Sequence, residues 1–326
     1  MSNKVLITDY YYPDLEQERQ VFQGTDIEIF DANGKCTTED DVIKFASDAD
    51  AIITQFVPIT RNIIQKLQKC KVIVRYAIGL DIIDIPAATE HRIMVANVPD
   101  YCTDEVANHA LALMLNLLRK ISLMDRDVRE GNWSYKKSVP ITRFSNQTIG
   151  LIAFGRIARS FARKASGLGF KILAYDPYFI DKQSYPQCEF VSLEELLQRS
   201  DIISVHTPST DETRGLLNGA TFSMMKDSAF IINTSRGDVI VEEDLVKALR
   251  QGKIAGAGLD VLIEEGDNIK KNPLVEMENV SITPHMAWYS ADSIKELQRK
   301  TAEQVKQALL YGRPENQVNI FPKIDG

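Results

Sequence analysis

The sequence is short of the features that mark specialised classes of protein. No apolar run approaches the roughly 20 residues that cross a bilayer, so no membrane partner is expected. Basic residues are in deficit: 38 Lys and Arg face 45 Asp and Glu, and the net charge of −7 speaks against nucleic acid as a partner. The four cysteines, Cys36, Cys70, Cys102 and Cys188, have neither disulfide-framework nor metal-ligand spacing. They read as free thiols of a reducing compartment, and no bound metal is expected. Charge blocks, repeats and low-complexity segments are lacking as well. The opening M-S-N-K-V-L-I-T-D-Y has no signal-peptide pattern and passes straight into a strand at 5–8, so the expected location is the cytoplasm. Histidine is scarce, with four in the chain, and imidazole chemistry has few candidates.

What remains is an ordinary globular composition, 44% hydrophobic and 25% charged, on a chain long enough for two cores. From residue 5 to about 99, short apolar strands near 5–8, 27–30, 51–53, 72–74 and 94–96 alternate with helical segments such as 38–47 and 60–67. Each of those two helices opens on a capping threonine. The alternation predicts a parallel sheet. A helix over 104–121 is apolar nearly all round, with Val106, Ala110, Leu111, Leu113, Met114, Leu115, Leu117 and Leu118. It must be covered within the monomer or by a symmetric partner, and a homodimer is the favoured expectation. Residues 126–138 are polar, with Gly131 and Trp133, and read as a connecting loop. Further strands fall at 202–206, 229–233, 255–260 and 280–283. Ser192 and Glu195 form a capping box ahead of a helix at 193–199, and an amphipathic helix at 292–311, carrying Ile294, Leu297, Val305 and Ala308 on one face, ends at Gly312 and Pro314.

The chain is organised around residues 148–177. An apolar strand at 149–154 runs without a spacer into a helix, and a second buried strand at 171–175 ends at Asp176, about 20 residues beyond Gly155. Such a unit brings backbone N–H groups and the positive end of a helix against a pyrophosphate, with Gly155 permitting the approach and Arg156 and Ile157 opening the helix. The glycine pattern is degraded to A-x-G-x-x-A by Ala153 and Ala158. The Asp176 carboxylate suits a ribose diol and repels a 2′-phosphate, which selects NAD over NADP.

Later strand ends carry Thr207-Pro208, Thr234-Ser235-Arg236-Gly237, Asp260 and Pro284-His285, and a cofactor crevice requires such ends to converge on one edge. In the first half, R-Y-A-I-G-L-D at 75–81 follows a strand directly. Its glycine lets backbone N–H groups face a small anion, and Arg75 either adds charge-assisted bonds or is a plain surface residue. The chemistry that fits is hydride transfer from a nicotinamide to a 2-oxo acid, whose carboxylate must be held and whose carbonyl must be protonated. Arg236 offers a planar fork of donors for the first task. His91 and His109 fall in helical segments and His206 ends a strand. His285 alone joins a strand end, a rigid Pro and a nearby Trp288, which makes it the candidate general acid and base. Glu264 or Glu265 could orient its ring; spacing does not choose between them.

At these residues the chain resembles the D-isomer-specific 2-hydroxyacid dehydrogenase family over almost its whole length, and within it the branch similar to C-terminal-binding proteins. The matching segments are R-Y-A-I-G-L-D-I-I-D from Arg75, V-P-D-Y-C-T-D-E-V-A from Val98, the unit ending Y-D-P at Pro177, N-T-S-R-G from Asn233, G-L-D-V-L-I-E-E from Gly258 and T-P-H-M-A-W-Y-S from Thr283. The resemblance implies an α/β protein of two domains. A Rossmann-type doubly wound NAD-binding domain at 100–289, including a dimerisation helix and loop at 104–138, is inserted in a flavodoxin-like substrate domain at 1–99 and 290–326. It also implies a catalytic set of Arg236, Glu265 and His285, and an NAD crevice lined by Thr103, Gly155, Arg156, Ile157, Asp176, Thr207, Pro208, Thr213, Thr234, Ser235 and Asp260. Arg75, Ile78, Gly79 and Trp288 would contact substrate. The implied activity is NAD-dependent exchange between a small 2-oxo acid and its 2-hydroxy acid; the alternative is an NAD(H)-sensing dimeric binding protein with little turnover. An aromatic Trp288 would favour an apolar side chain over a phosphorylated one. Four positions depart from the family: Ala153 and Ala158 stand for Gly, Ile82 for Asn and Gly266 for Pro. The two methyl groups are expected to displace the pyrophosphate slightly, and the other two changes to loosen loops at the site.

Overall fold

The computed structural model describes residues 2–322. The chain divides into two compact units, Met1–Tyr101 with Ser290–Gly326, and Cys102–Tyr289. In the first unit five parallel strands, β1 (Asn3–Ile7), β2 (Ile27–Asp31), β3 (Ala51–Thr54), β4 (Val72–Arg75) and β5 (Met94–Ala96), stand in the order β2-β1-β3-β4-β5. This is the flavodoxin-like order. The strands are short β-branched runs because both faces are covered: Val5, Ile7, Ile52, Ile53, Val72 and Val74 are all fully buried. The linking helices are α1 (Glu16–Phe22), α2 (Glu39–Ala46), α3 (Arg61–Ile64) and α4 (Ile85–Glu90). Thr38 and Asp41 cap α2 reciprocally. Thr60 also caps, but α3 is a single turn rather than 60–67, because Lys66 and Leu67 tighten into bonds to the carbonyls three residues back. The C-terminal helix, Ala291–Tyr311, returns to this unit with Leu297, Val305 and Ala308 buried.

The second unit is a seven-stranded parallel sheet: β6 (Thr148–Ile152), β7 (Lys171–Tyr175), β8 (Cys188–Phe190), β9 (Ile202–Val205), β10 (Phe230–Asn233), β11 (Gly256–Leu259) and β12 (Val280–Ile282). Its order, β12-β11-β10-β9-β6-β7-β8, reverses direction between β6 and β9, as in a doubly wound dinucleotide fold. Helices α5 (Thr103–Arg119), α6 (Ile121–Arg129), α7 (Arg156–Gly167), α8 (Leu193–Arg199), α9 (Gly219–Met224) and α10 (Glu242–Arg250) supply two cores. Alternate strand residues feed them: Ile152, Ile203 and Ile231 join Leu196, Phe222 and Leu249, while Leu151, Ile202 and Ile232 join Met114, Phe161 and Ala162. No helix among the described residues is long and apolar enough to cross a membrane.

Four local expectations are corrected. The helix over 104–121 stops at Arg119, Lys120 takes a left-handed backbone (φ +54°), and the chain turns at once into α6. Residues 126–129 are therefore helical, not part of a loop. The strand at 149–154 stops at Ile152 because Ala153 is left-handed, with φ +68°. Ser192 caps α8 through the Glu195 N–H, but Glu195 turns its carboxylate to Arg199, so the box is only half made. The apolar surface of α5 is mostly covered inside the chain: Val106, Ala110, Leu113, Met114, Leu117 and Leu118 are buried, and Leu111 and Leu115 partly so.

A Cβ at Gly150 in β6 would stand 2.3 Å from Ser200 Oγ and 2.5 Å from Leu196 Cδ2. Gly150→Ala should therefore lower stability by about 1–3 kcal/mol. A urea midpoint equal to the parent's would contradict this packing of α8 on β6.

Candidate active site

The register aligns Tyr175, Ile152, Val205, Asn233, Leu259 and Ile282 across β7, β6, β9, β10, β11 and β12. The next residue on each strand is Asp176, Ala153, His206, Thr234, Asp260 or Thr283. Because all strands are parallel, these six form one row along the C-terminal edge, where such sheets bind ligands.

One end of the row is built for a dinucleotide. Gly155 is the N-cap of α7 and carries no side-chain cap, so the first N–H groups of the helix, at Arg156 and Ile157, keep no partner within the helix. Nothing lies within 4 Å of the place a Cβ on Gly155 would take. Asp176 accepts from Phe154 N at 2.8 Å on Oδ2 and from Tyr178 N at 2.9 Å on Oδ1, which leaves a lone pair on each oxygen for a diol. Ala153 adopts the left-handed turn that glycine adopts more readily, and Ala158 is fully buried against the sheet. Thr234 Oγ1 is buried with no hydrogen-bond partner among the described residues. Thr207 is buried, and Thr213 Oγ1 donates to Pro208 O at 2.6 Å, fixing the turn after β9. Thr103 opens α5. An uncapped helix end, an open glycine and an orphaned buried hydroxyl together fit NAD.

The other end brings Arg236, Glu265 and His285 together. Asn233, fully buried, accepts from Ser235 N (3.0 Å) and Ser235 Oγ (2.7 Å) and donates from Nδ2 to Arg236 O (2.9 Å), which shapes the turn carrying Arg236. Gly237 lets that turn press on the loop after β11, since a Cβ there would lie 2.2 Å from the Leu262 carbonyl. The same loop carries Glu265, whose Oε1 accepts from Leu262 N at 3.3 Å and whose Oε2 meets His285 Nδ1 at 2.9 Å. Glu265 rather than Glu264 makes this contact. Burial alone would raise the pKa of Glu265. The hydrogen bond and charge of His285, the Leu262 N–H and the positive charge of Arg236 outweigh it and hold the carboxyl below its usual value. Gly266 follows at φ +99°, a backbone that proline at this position could not adopt. Asp260, 2% exposed, binds three donors: Thr283 Oγ1 (2.6 Å) and Met286 N (3.0 Å) on Oδ1, and Ala287 N (2.8 Å) on Oδ2. His285 N donates to the Asp260 carbonyl at 2.8 Å, and His285 is held left-handed at φ +50°. Trp288 Nε1 donates to the His285 carbonyl at 2.9 Å.

A family model described as D-isomer specific 2-hydroxyacid dehydrogenase, NAD binding domain, matches residues 111–287. The chain is 36% identical over 291 residues to the hydroxypyruvate reductase of Blautia hydrogenotrophica, covering 87% of this chain and 89% of that one. It belongs to the D-isomer specific 2-hydroxyacid dehydrogenase family. A D-3-phosphoglycerate dehydrogenase of Methanocaldococcus jannaschii is 34% identical over 97% of this chain, which spans 59% of that protein's length. The D-lactate dehydrogenase of Aquifex aeolicus, solved with NAD and lactic acid, matches with a TM-score of 0.85 at 27% identity, over 97% of this chain and 100% of that one.

The remaining residues that the 2-hydroxyacid dehydrogenase resemblance implied lie in the first unit. Arg75 ends β4: Nε donates to Gln55 O (3.2 Å) and Nη1 to Gly79 O (2.9 Å), with Asp81 at 3.5 Å. The carbonyl of Ala77 accepts from Val98 N (3.1 Å) and that of Ile78 from Asn97 Nδ2 (2.6 Å). Because a trans peptide points its N–H opposite to its C=O, the N–H of Ile78 points away from Val98 N and that of Gly79 away from Asn97 Nδ2. Ile82 is drawn into the fold by Ile59 N, which donates to its carbonyl at 2.9 Å. Sequence reasoning missed Asn97, Asn233 and Thr283 as supports, although all three adjoin or begin matched segments.

His206 packs its ring on Phe161 (centroids 5.5 Å apart) and meets Ser204 Oγ at 2.9 Å; burial pushes its pKa down to about 4. Above the unfolded value near 6.5 the ring is neutral in both states and stability is full. As pH falls toward 4 only the unfolded chain takes up the proton, so stability drops by about 2 kcal/mol between pH 7 and pH 5. Urea unfolding at the two pH values should show this drop, smaller by that amount in His206→Gln. An equal drop in the variant would contradict the assignment.

Proposed function

We propose that the chain is an NAD-dependent 2-oxo acid reductase, equally a D-2-hydroxyacid dehydrogenase, acting on a small 2-oxo acid. The observation that carries this reading is the 2.9 Å contact between His285 and Glu265, on a loop against which the Arg236 turn is pressed at the edge of a dinucleotide sheet. Bound NADH supplies the hydride. Arg236 grips the substrate carboxylate and polarises the neighbouring carbonyl with its planar donors. Glu265 holds the proton on Nδ1 of His285, so Nε2 is the nitrogen that gives a proton to the carbonyl oxygen in reduction and removes it in oxidation. The N–H groups of Ile78 and Gly79 suit a small anion such as the substrate carboxylate, with Arg75 shaping their turn.

The indole N–H of Trp288 is used on His285, which leaves the ring as an apolar wall and favours an unphosphorylated substrate. Hydroxypyruvate and similarly small acids are the first candidates, by analogy with the Blautia relative. The exposed apolar residues of α6 and the segment after it, Ile121, Val128, Trp133 and Tyr135, suit burial by a second copy in a homodimer. Its four free cysteines suit the reducing cytoplasm. No observation supports the alternative of an NAD(H)-sensing, corepressor-like binding protein.

With NADH and a panel of 2-oxo acids, the parent should turn over small unphosphorylated acids fastest. His285→Ala should lower kcat by about 100-fold or more, while NADH affinity, read from fluorescence titration, stays near the parent value. Parent-like turnover in the variant would reject the acid–base assignment, and a strong preference for a phosphorylated acid would reject the substrate class.

A further inference from the structure

We infer that His109, on α5, is a positioning residue for His285, locking the grip of Asp260 on the 283–287 turn through the hydroxyl of Thr283. The inference rests on the reductase reading of the same site. His109 Nε2 lies 2.8 Å from Thr283 Oγ1, and that hydroxyl lies 2.6 Å from Asp260 Oδ1. A hydroxyl has one proton. The Asp260 carboxylate, already accepting from Met286 N and Ala287 N, acts here as an acceptor, so the Thr283 proton points to it. Thr283 must then accept from His109, which fixes the proton of His109 on Nε2. Nε2 also stands 3.5 Å from Asp260 Oδ1. A single line of donors thus runs from α5 to the carboxylate around which the turn is folded.

The position of Thr283 explains the need for this link. It follows β12, the edge strand, whose one neighbour in the sheet is β11. Strand pairing holds it from one side, and α5 holds it from above. Asn116, two helical turns beyond His109 on the same face of α5, donates from Nδ2 to Ser281 Oγ at 2.8 Å, and Ser281 precedes Thr283 by two residues on the same face of the strand. Two polar fastenings therefore fix the end of β12 against α5. The second of them, at His109, adjoins the turn that keeps His285 at φ +50°. A backbone in that region persists only where its surroundings over-determine it.

The test compares His109→Ala, His109→Gln, Thr283→Val and the double variant His109→Ala/Thr283→Val with the parent. The two cutting variants should lower kcat by about 10- to 100-fold, with the protein still folded and NADH affinity near the parent value, and the double variant should be no slower than the slower single. His109→Gln, which returns an N–H close to the place of Nε2, should recover most of the rate. Parent-like kcat in His109→Ala, losses that multiply in the double variant, or a loss of NADH affinity that matches the loss of kcat would overturn the inference. Imidazole ¹⁵N shifts read the same link without turnover: they should report the Nε2–H tautomer in the parent and lose it in Thr283→Val. An Nδ1–H tautomer in the parent would overturn the inference, whereas a parent that binds NADH but reduces no 2-oxo acid would sink the reductase reading alone.

Discussion

A buried carboxylate that must find donors governs the site. Asp260 is almost wholly removed from water, and leaving its oxygens unpaired would cost several kcal/mol. The turn after β12 answers that demand with two backbone N–H groups and the Thr283 hydroxyl. Folding around Asp260 forces His285 into the left-handed region, at about 1–2 kcal/mol, and the charge-assisted bonds offset it. His285 is thereby brought to Glu265, which sits on the loop that continues from Asp260 itself. One strand end thus sets both partners of the His285–Glu265 contact. Gly237 brings in the third group, because only a residue without a Cβ lets the Arg236 turn lie against Leu262.

The dinucleotide end depends on backbone more than on side chains. The motif is weak when read as letters, because two of its three glycines are alanines. Its geometry survives, since Ala153 takes φ +68° and the methyl of Ala158 fills the helix–sheet contact. The glycine that remains, Gly155, is the one whose missing Cβ faces open space at the helix end.

The parallel strands other than β8 were legible because a strand buried on both faces is an unbroken apolar run, and most fall within a residue or two of where those runs lie; β8 has three residues with Glu189 exposed, and shows no such run. The row of strand ends followed, since parallel strands share one edge. Lys120 was illegible: lysine favours helix, and nothing local shows that it turns left-handed and splits α5 from α6. Glu264 and Glu265 could not be separated by spacing, because the choice depends on how the loop leaves β11. Asn97, Asn233 and His109 act across long stretches of chain, or through a turn whose shape they themselves set, and single-sequence periodicity carries no trace of either. Arg75 is a mixed case: its place after a strand was legible, but not that its Nε and Nη1 also donate to the Gln55 and Gly79 carbonyls and so brace the turn.

In the proposed reaction Asp260 organises the acid–base residue, His285. The direct measurement is kcat for 2-oxo acid reduction by Asp260→Asn, taken beside its NADH affinity and thermal unfolding. Asparagine has the same shape but offers one acceptor oxygen to donors that need two. Turnover should fall by about 100-fold in a protein that remains folded and binds NADH. Turnover equal to the parent's would contradict the account.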